Sequence, residues 1–434
     1  MDERAPSLST DEARVIAAEC SGTSDFELLE LQEISEGKES GGFMSDYLRF
    51  KIRIRLQDGT EKCHNLFAKT VPRTPGGHRD FVEEVQCYVK EVGFYRKVLP
   101  LLLKHQNNDK RSSVSGVIGK WAPHCYLTRD DIIIMEDLGI FNFRILNSRD
   151  LLDWSHCVTV LKKIASFHAA SIIFEEKEKQ NLEKTCRIVD LHPDCFTDVI
   201  DRAMSDDKNK GWFLAGVRAI VALVPYLSKY QHSTKLQRMI QEKIPTVFES
   251  VGGLKTSDKY RNVVCHGDLW SSNILFNYGE DSRPDTARFV DYQVLRYAPP
   301  ATDLVIFINT TTNQNFRKRH NKDMLKIYYK EFNSELQEYG LSANEILSFE
   351  ELHESFEHFS PAGRAIAGLY YQLILMDHEK KNSLFSSPEN YSTFFLIDRS
   401  SDVRECFLKD EVFRYRMEEA LNELIDKDIL NTPS

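Results

Sequence analysis

The stretch of residues 263–276 constrains what this chain can fold into more than any other segment. It reads Val-Val-Cys-His-Gly-Asp-Leu-Trp-Ser-Ser-Asn-Ile-Leu-Phe, so apolar runs flank a polar loop in which Asn273 follows five residues after Asp268. Further along the chain, another apolar run ends at Asp291. Short apolar runs separated by polar loops predict a strand, a loop, a second strand and a turn. This order would deliver two carboxylates and one amide to a single cleft.

Side chains of these types suit phosphoryl transfer from a magnesium nucleotide. The nucleophile needs a proton acceptor, and the metal ions need oxygen ligands on fixed backbone. An isolated His-Gly-Asp tripeptide would mean little, but H-x-D-x-x-x-x-N followed by an apolar strand that ends in Asp is much more specific. The alternative is a helical α/β protein with a fortuitous motif, which would lack a two-lobed cleft at Asp268.

The segment upstream, residues 26–71, predicts a set of strands. Residues 47–56 alternate strictly between polar and apolar side chains, as a half-buried strand does, and Asp58-Gly59 is a hairpin signal. The Gly-rich turn at residues 41–45 can lay backbone N–H groups over phosphates, although most turns of this kind are only turns. Lys69 lies on the following strand, where an exposed lysine is the commoner case.

A helix is predicted over residues 81–103, with Glu91 inside it. A strand lysine and a glutamate on the next helix can pair and hold the lysine against nucleotide phosphates, but a solvated surface glutamate is the simpler alternative. The buried strand Ile132–Met135 then leads into the connector Glu136–Gly139. An adenine edge could pair with the backbone there, and we expect the boundary between two lobes at this point.

The rest of the chain is predicted to be largely helical. His168 is expected to be a satisfied packing residue, and the charged residues 175–190 are expected to be exposed. Besides two or three helices within residues 196–250, the clearest helical patterns cover Leu151–Phe174, Asp323–Leu336, Arg364–Met376 and Val412–Ile425.

Composition excludes several classes of protein. The 434 residues are enough for two lobes, and the net charge of −10 argues against non-specific nucleic-acid binding. Nine cysteines without a C-x-x-C pair indicate neither a zinc site nor a redox motif. The acidic N-terminal segment predicts no signal peptide, and Leu214–Leu227 contains Arg218 and Pro225, so we expect no membrane span. A cytoplasmic monomer is the expectation.

The order of these features resembles the protein-kinase-like fold. The Gly of His-Gly-Asp is similar to the aminoglycoside and choline kinase branch. More closely, His-Gly-Asp-Leu-Trp-Ser-Ser-Asn, Val-Asp-Tyr-Gln and Pro-Pro-Ala-Thr-Asp-Leu resemble the ecdysteroid kinase-like (CHK kinase-like) family over residues 25–380. The resemblance implies a two-lobed α+β fold, with a small antiparallel β N-lobe and a larger, mainly helical C-lobe. The expected segments are an N-terminal helical extension (1–24), the N-lobe (25–137) and the C-lobe (138–434).

The resemblance also implies roles for individual residues. Asp268 would be the catalytic base, and Asn273 and Asp291 would bind magnesium. Lys69 would contact the α and β phosphates of ATP and would be held by Glu91. The other positions expected to bind ATP lie on the Gly-rich turn and on the connector: Gly41, Gly42, Ser45, Met135, Glu136 and Leu138.

Two departures from protein kinases affect these expectations. The turn is not G-x-G-x-x-G, and the metal motif is Asp-Tyr-Gln rather than Asp-Phe-Gly. Only eleven residues separate Asp291 from Asp303, which leaves no room for a long activation loop or a peptide platform. Asp303 is expected to brace the catalytic loop. Four aromatic residues are either pocket-lining or core: Trp212, Phe213, Tyr370 and Tyr371.

Together these features predict a kinase that uses ATP and magnesium to phosphorylate a hydroxyl group of a small molecule. The resemblance favours an ecdysteroid or a related lipophilic or xenobiotic alcohol. One alternative is a kinase for choline, ethanolamine or an aminoglycoside, which has a cationic substrate. Another is a catalytically inactive ligand-binding protein, although the presence of every expected site residue argues against it.

Overall fold

The fold is described from a computed structural model of the chain. The residues that it describes are 8–35, 45–71, 87–106, 116, 118–196, 211–385 and 387–431.

A five-stranded antiparallel sheet forms the N-terminal part, with the strand order β1-β2-β3-β5-β4. Its strands are β1 Phe26–Ser35, β2 Asp46–Leu56, β3 Glu61–Thr70, β4 Cys125–Thr128 and β5 Ile132–Glu136. Alternate residues of β2 from Leu48 to Ile54 are buried, as the strict alternation predicts. The hairpin from β2 to β3 turns at Asp58-Gly59, where Gly59 has φ +84°. A left-handed φ of this kind suits glycine.

Helix α1, Thr10–Ser21, covers one face of this sheet. It begins with a capping box: the Ser9 hydroxyl accepts the Glu12 N–H (3.2 Å), and the Glu12 carboxylate accepts the Ser9 N–H (2.8 Å). Ile16 packs in an apolar cluster with alternate residues of β2. This apolar cluster holds α1 against the sheet.

The remainder is mainly helical. The described helices after α1 are α2 Cys87–Gly93, α3 Leu99–Lys104, α4 Trp154–Leu182, α5 Ile188–Leu191, α6 Pro193–Phe196, α7 Gly211–Leu223, α8 Thr234–Glu249, α9 Ala301–Thr311, α10 Gln314–Gln337, α11 Ala343–Ile346, α12 Phe349–Ile374, α13 His378–Phe385, α14 Pro388–Ser392, α15 Ser400–Lys409 and α16 Glu411–Leu424. A π-helical turn, Phe94–Val98, joins α2 to α3, and another, Ile425–Leu430, follows α16.

Two small sheets among these helices carry the motif found in the sequence. One pairs β7 Val263–Cys265 with β10 Arg296–Ala298. The other has the order β6-β8-β9, with β6 Arg144–Ile145, β8 Ile274–Tyr278 and β9 Pro284–Phe289. A large apolar core surrounds both sheets and includes α4, α9 and α12.

The predicted C-lobe helices exist, but several are longer than expected. Helix α4 continues to Leu182, and the expectation that residues 175–190 are exposed is wrong for Glu175, Glu178 and Ile188, which are buried, whereas residues 179–185 are exposed as expected. Glu175 is buried there because its carboxylate accepts hydrogen bonds from Tyr297 and Arg261. Helix α12 was expected to start at Arg364, yet it begins at Phe349 because the Ser348 side chain caps it.

Helix α4 is also long and apolar enough, by length and composition alone, to cross a membrane. Its most apolar window has a mean hydropathy of 1.4, and 78% of that window is buried inside the protein. The core helix of a folded domain shows the same combination.

The two-lobed α+β prediction is confirmed, with an antiparallel sheet in the N-lobe and a mainly helical remainder. The boundaries at residues 24 and 137 stay predictions.

Candidate active site

The expected catalytic loop, residues 266–273, follows β7. It ends in a 3-10 turn, Ser271–Asn273, that leads into β8. Its second residue, Gly267, has φ +82°, and a Cβ placed there would lie 2.0 Å from the Val294 carbonyl oxygen. Any larger residue would therefore be strained by its backbone conformation and would also collide with a backbone atom. The glycine between His266 and Asp268 lets the loop lie directly against the turn that follows Asp291.

Asp303, in the first turn of α9, holds this loop in place. Its carboxylate accepts the N–H groups of His266 and Gly267, both at 2.7 Å, and lies 3.0 Å from Nε2 of His168. Burial by itself would raise the pKa of Asp303, but hydrogen bonds from His168 and Gly267 bring it below its usual value. The predictions that Asp303 braces the loop and that His168 is a satisfied packing residue are confirmed, since the other nitrogen of His168 lies 2.9 Å from the Tyr328 hydroxyl.

Asp268, the expected base, has a donor on each carboxylate oxygen. Asn273 donates from Nδ2 to Oδ2 (2.9 Å) and to the Asp268 carbonyl (2.8 Å), and Tyr370 donates from its hydroxyl to Oδ1 (2.6 Å). Burial raises the pKa of Asp268 to about 6. The hydrogen bond from Tyr370 lowers it, the negative charge of Asp291 raises it, and the hydrogen bond from Asn273 lowers it again. The carboxylate is thus ionised at neutral pH but is close to the range in which it can take up a proton.

Lys69 is buried between two carboxylates. Its ammonium lies 2.6 Å from Oε2 of Glu91 on α2 and 2.8 Å from Oδ1 of Asp291. Burial disfavours the charged amine, but Asp291 and Glu91 outweigh that effect and raise the pKa of Lys69. The structure therefore brings together three expected site residues that come from a strand, a helix and a turn. Lys69 and Glu91 are both buried, so the simpler alternative of an exposed lysine and a solvated surface glutamate does not hold.

Asp291 lies at a turn with an unusual backbone. Its φ of 70° and ψ of 63° are left-handed, which costs energy for a residue other than glycine. The next residue, Tyr292, stacks on Phe94 with ring centroids 3.7 Å apart and so ties the turn to the π-helical segment after α2. Packing holds the Asp291 carboxylate toward Lys69.

The donor set around this turn suits magnesium. Asp291 supplies a partly exposed carboxylate, and the Asn273 amide donates through its nitrogen to Asp268, so that its oxygen is the atom offered to a metal ion. Mg²⁺ prefers hard oxygen ligands and keeps several of its own water molecules, so two protein oxygens match its usual mode of binding.

The expected connector begins in the last residues of β5 and continues into a short 3-10 turn. Met135, Glu136 and Leu138 are buried, and Leu138 starts a 3-10 turn that Asp137 caps. The Glu136 carboxylate is engaged elsewhere, because it accepts N–H groups of Ile118, Gly119 and His124 at 2.8–3.0 Å. The Glu136 carboxylate is therefore not available to a bound adenine.

The Gly-rich turn is only partly visible. Gly41 and Gly42 lie outside the described residues. Ser45 is described, and its hydroxyl is buried without a hydrogen-bond partner within the described part of the chain. Tyr47 pairs directly with Lys69 across β2 and β3.

Sequence reasoning missed the contact between Tyr370 and the base. The sequence leaves Tyr370 and Tyr371 alike as either pocket-lining or core residues, yet their side chains lie in different environments. The Tyr371 hydroxyl is buried and donates to the Asn309 carbonyl (2.9 Å), so Tyr371 belongs to the core. Trp212 and Phe213 on α7 lie in or against the apolar core. No local pattern distinguishes the two tyrosines.

Comparison with known proteins identifies relatives for most of the chain. The model of the ecdysteroid kinase-like family matches residues 39–341. Among solved structures, the chain is similar to spectinomycin phosphotransferase in complex with ADP and spectinomycin, at 12% identity, with a TM-score of 0.33, over 90% of this chain and 94% of that one. A likeness at this TM-score says nothing about the ligands or residues of the present chain. None of the curated proteins compared with it matches significantly.

Proposed function

Because the chain belongs to the ecdysteroid kinase-like family, it is a small-molecule phosphotransferase, and we propose that its acceptor is a hydroxyl group of an ecdysteroid or of a related lipophilic or xenobiotic alcohol. ATP with magnesium would be the phosphoryl donor. Family membership supports the class of acceptor, and the side chains around Asp268 and Lys69 support the chemistry.

The observation that carries the proposal is the convergence of Lys69, Glu91 and Asp291. These residues lie far apart in the sequence, yet one ammonium contacts both carboxylates within 2.8 Å. Asp268 is close enough for the charge of Asp291 to raise its pKa. A buried lysine, a base and a pair of oxygen donors brought together are the parts that phosphoryl transfer uses.

Each of these side chains would have a distinct task. Lys69, held by Glu91, would bind phosphate oxygens of the nucleotide. Asn273 and Asp291 would hold magnesium, which when bound neutralises phosphate charge. Such catalysis depends on positioning and on electrostatic stabilisation more than on covalent chemistry.

Asp268 would act on the acceptor. As an ionised carboxylate it can accept a hydrogen bond from the alcohol and fix the position of the reacting oxygen. It would then take up the alcohol's proton as the new bond to phosphorus forms. A pKa of about 6 suits this work, because the group is unprotonated at neutral pH and still basic enough to bind a proton.

The segment after Asp291 leaves little room for a protein substrate. A 3-10 turn, Tyr292–Val294, and the strand β10 follow at once, and α9 then begins at Ala301. These elements are mostly buried and use up the residues that an activation loop would need. This arrangement agrees with a small acceptor.

A substrate panel tests the proposal. Purified protein is incubated with magnesium ATP and an ecdysteroid, a sterol, choline, ethanolamine or an aminoglycoside, and ADP formation and phosphorylated product are measured. We expect ADP release that depends on the ecdysteroid or on another lipophilic alcohol. Phosphorylation of choline but of no lipophilic alcohol would refute the proposed acceptor. Chelation with EDTA should abolish transfer, and added magnesium should restore it.

Asp268→Asn provides the test of the site. The amide cannot take a proton, so we expect the turnover number to fall by about 10²–10⁴-fold while ATP still binds. Asp258→Asn is a matched control, because Asp258 is exposed on the loop before β7. If the Asp268 variant turns over as fast as the wild type, the assignment of the base is wrong, and if neither protein transfers phosphate to any acceptor, the chain is a ligand-binding member of the family.

We also propose that the protein works in the cytoplasm as a monomer. Eight of the nine cysteines, those whose side chains the structure describes, are free thiols, which supports a reducing compartment. Fluorescence microscopy of the tagged chain and sedimentation of the purified protein would test the two parts of this proposal separately.

A further inference from the structure

Tyr370 is the one described residue outside the catalytic loop whose side chain is found to donate to Asp268. Its hydroxyl lies 2.6 Å from Oδ1, which is short enough for a hydrogen bond to an ionised acceptor. The other carboxylate oxygen is occupied by Asn273. Each carboxylate oxygen of Asp268 thus carries one donor, and Oδ1 is the oxygen whose donor comes from a distant helix rather than from the loop itself.

The support behind this contact is rigid. Tyr370 lies near the end of α12, a helix of 26 residues whose inner face is buried. The neighbouring Tyr371 hydroxyl bonds to the Asn309 carbonyl on α9 and accepts from Arg416 at 3.0 Å. A side chain on a helix fixed from two sides can place its hydroxyl more accurately than one on a loop. Ring packing alone would not require a polar contact with the base.

We propose that Tyr370 is a positioning residue for the acceptor, which holds Oδ1 of Asp268 until the alcohol arrives and then shares that oxygen with it. This inference rests on the proposed phosphotransfer at Asp268. An ionised carboxylate has about four lone-pair sites on its two oxygens, so Oδ1 can accept from the phenol and from the alcohol together. The alcohol oxygen is then confined to the side of the carboxylate that the tyrosine leaves open.

The transfer step keeps the proton of Tyr370 in place. The acceptor oxygen forms its bond to the γ-phosphorus, and the bond from that phosphorus to the bridging oxygen breaks, leaving ADP. The proton of the acceptor hydroxyl passes to Asp268, which releases it to water afterwards. The phenol donates throughout, so it steers the base without taking part in proton transfer.

The groups around Tyr370 and Asp268 determine in which direction the pKa of Asp268 should change when the phenol is removed. Burial raises the pKa of Tyr370 well above its usual value, and the charge of Asp268 and the hydrogen bond to it raise that pKa further, so the phenol keeps its proton at working pH. The groups that bear on Asp268 are Tyr370, Asp291, Asn273 and Trp270. Of these, Tyr370, Asn273 and Trp270 favour the ionised base, and removing the phenol must therefore make Asp268 easier to protonate.

Tyr370→Phe is the direct test, since it keeps the ring and removes only the hydroxyl. With magnesium ATP and the best acceptor of the panel, we expect the turnover number to fall roughly tenfold, with the KM for ATP unchanged. The acidic limb of the kcat/KM profile should move to higher pH. Tyr371→Phe is the matched control, because it removes a buried hydroxyl from the next residue without touching Asp268. The acidic limb of its kcat/KM profile should lie at the same pH as that of the wild type.

A second measurement does not depend on turnover. Wild type, Tyr370→Phe and Tyr371→Phe are melted between pH 4 and 8, each also in the Asp268→Asn background. In folded Tyr370→Phe the pKa of Asp268 should be higher than in the wild type, so the variant should bind more protons near pH 6. The decrease in melting temperature caused by Tyr370→Phe should therefore become larger as pH rises through that range. For Tyr371→Phe, and for both variants in the Asp268→Asn background, the loss should be independent of pH.

The outcomes separate the two proposals. An unshifted limb and a pH-independent melting difference for Tyr370→Phe would overturn the positioning role while wild-type phosphotransfer still stood. Wild-type protein that transfers no phosphate to any acceptor would overturn the proposed function and the positioning role with it. In that case a pH-dependent melting difference would show only that the hydrogen bond exists.

Discussion

Replacing Gly267 with alanine should disturb the protein in two separable ways. The residue has φ +82°, and a left-handed conformation costs a residue with a Cβ about 1–2 kcal/mol. The added Cβ would also lie 2.0 Å from the Val294 carbonyl oxygen, a distance that real Cβ atoms do not show. Relieving an overlap of this size in a packed region costs about 1–3 kcal/mol more. We therefore expect Gly267→Ala to lower the free energy of unfolding by about 2–5 kcal/mol.

The same overlap should reduce activity more than a general loss of stability would. The two backbones must separate by about 1 Å, and a displacement of that size at a reacting group costs about 100-fold in rate. The displaced parts are the residue before Asp268 and the turn after Asp291, so base and metal ligand would move relative to one another. We expect kcat to fall by about 100-fold in protein that is still folded.

Gly59→Ala is the matched control for this variant. Gly59 has φ +84°, nearly the same conformation, and a Cβ there would meet nothing within 4 Å. Urea unfolding of both variants isolates the collision, because the conformational cost is common to them, and steady-state kinetics measures its effect on the site. If Gly267→Ala is no less stable than Gly59→Ala and equally active, the loop does not depend on the close approach to Val294.

Three further outcomes follow from the contacts of the site. If Asp268 is the base, it acts unprotonated, and with its pKa of about 6 we expect kcat/KM to fall as pH decreases below about 6. A pH profile with a stable acceptor measures this, and a flat profile down to pH 5 would contradict it. Lys69→Met should lower kcat/KM by about 10²–10³-fold. Glu91→Gln should cost less and should mainly raise the KM for ATP, because it removes one partner of Lys69 but keeps the ammonium charge; equal losses in steady-state kinetics would argue against this division. The Asp303 carboxylate accepts two backbone N–H groups, and in Asp303→Asn one of the two acceptor oxygens becomes a donor. We expect this variant to lower the free energy of unfolding by about 1–3 kcal/mol in urea. Unchanged stability would show that the loop conformation does not depend on Asp303.

Features that depend on local spacing could be predicted from the sequence. The alternation in β2, the hairpin at Gly59 and the capping box of α1 are set by residues that lie close together in the chain. The order of Lys69, the α2 glutamate and the catalytic loop could also be predicted, because a known family shares it. The contact of Lys69 with Asp291 adds a distance that the order alone does not contain.

Features that depend on distant partners could not be predicted. Tyr370 meets Asp268 across 102 residues of sequence, and nothing near Tyr370 distinguishes it from the core residue Tyr371. Similarly, Glu175 lies in a charged part of α4 that the sequence predicts to be exposed, and it is buried because Tyr297 and Arg261 come together around its carboxylate. In both cases the environment of a side chain is made by packing between helices and strands that are far apart in the chain.

The charges of the described site explain why a nucleotide alone would be a poor ligand. Lys69 is one cation beside Glu91 and Asp291, and Asp268 adds a third carboxylate whose pKa already reflects that neighbourhood. Triphosphate oxygens would bring more negative charge to a group of side chains that is already negative once Asp268 is ionised. Lys69 cannot offset this charge, because it is already neutralised by the two carboxylates that it contacts. A divalent cation held by Asp291 and Asn273 would supply the missing positive charge and would free Lys69 to leave Asp291 for the phosphates, so nucleotide and magnesium should bind together rather than in turn.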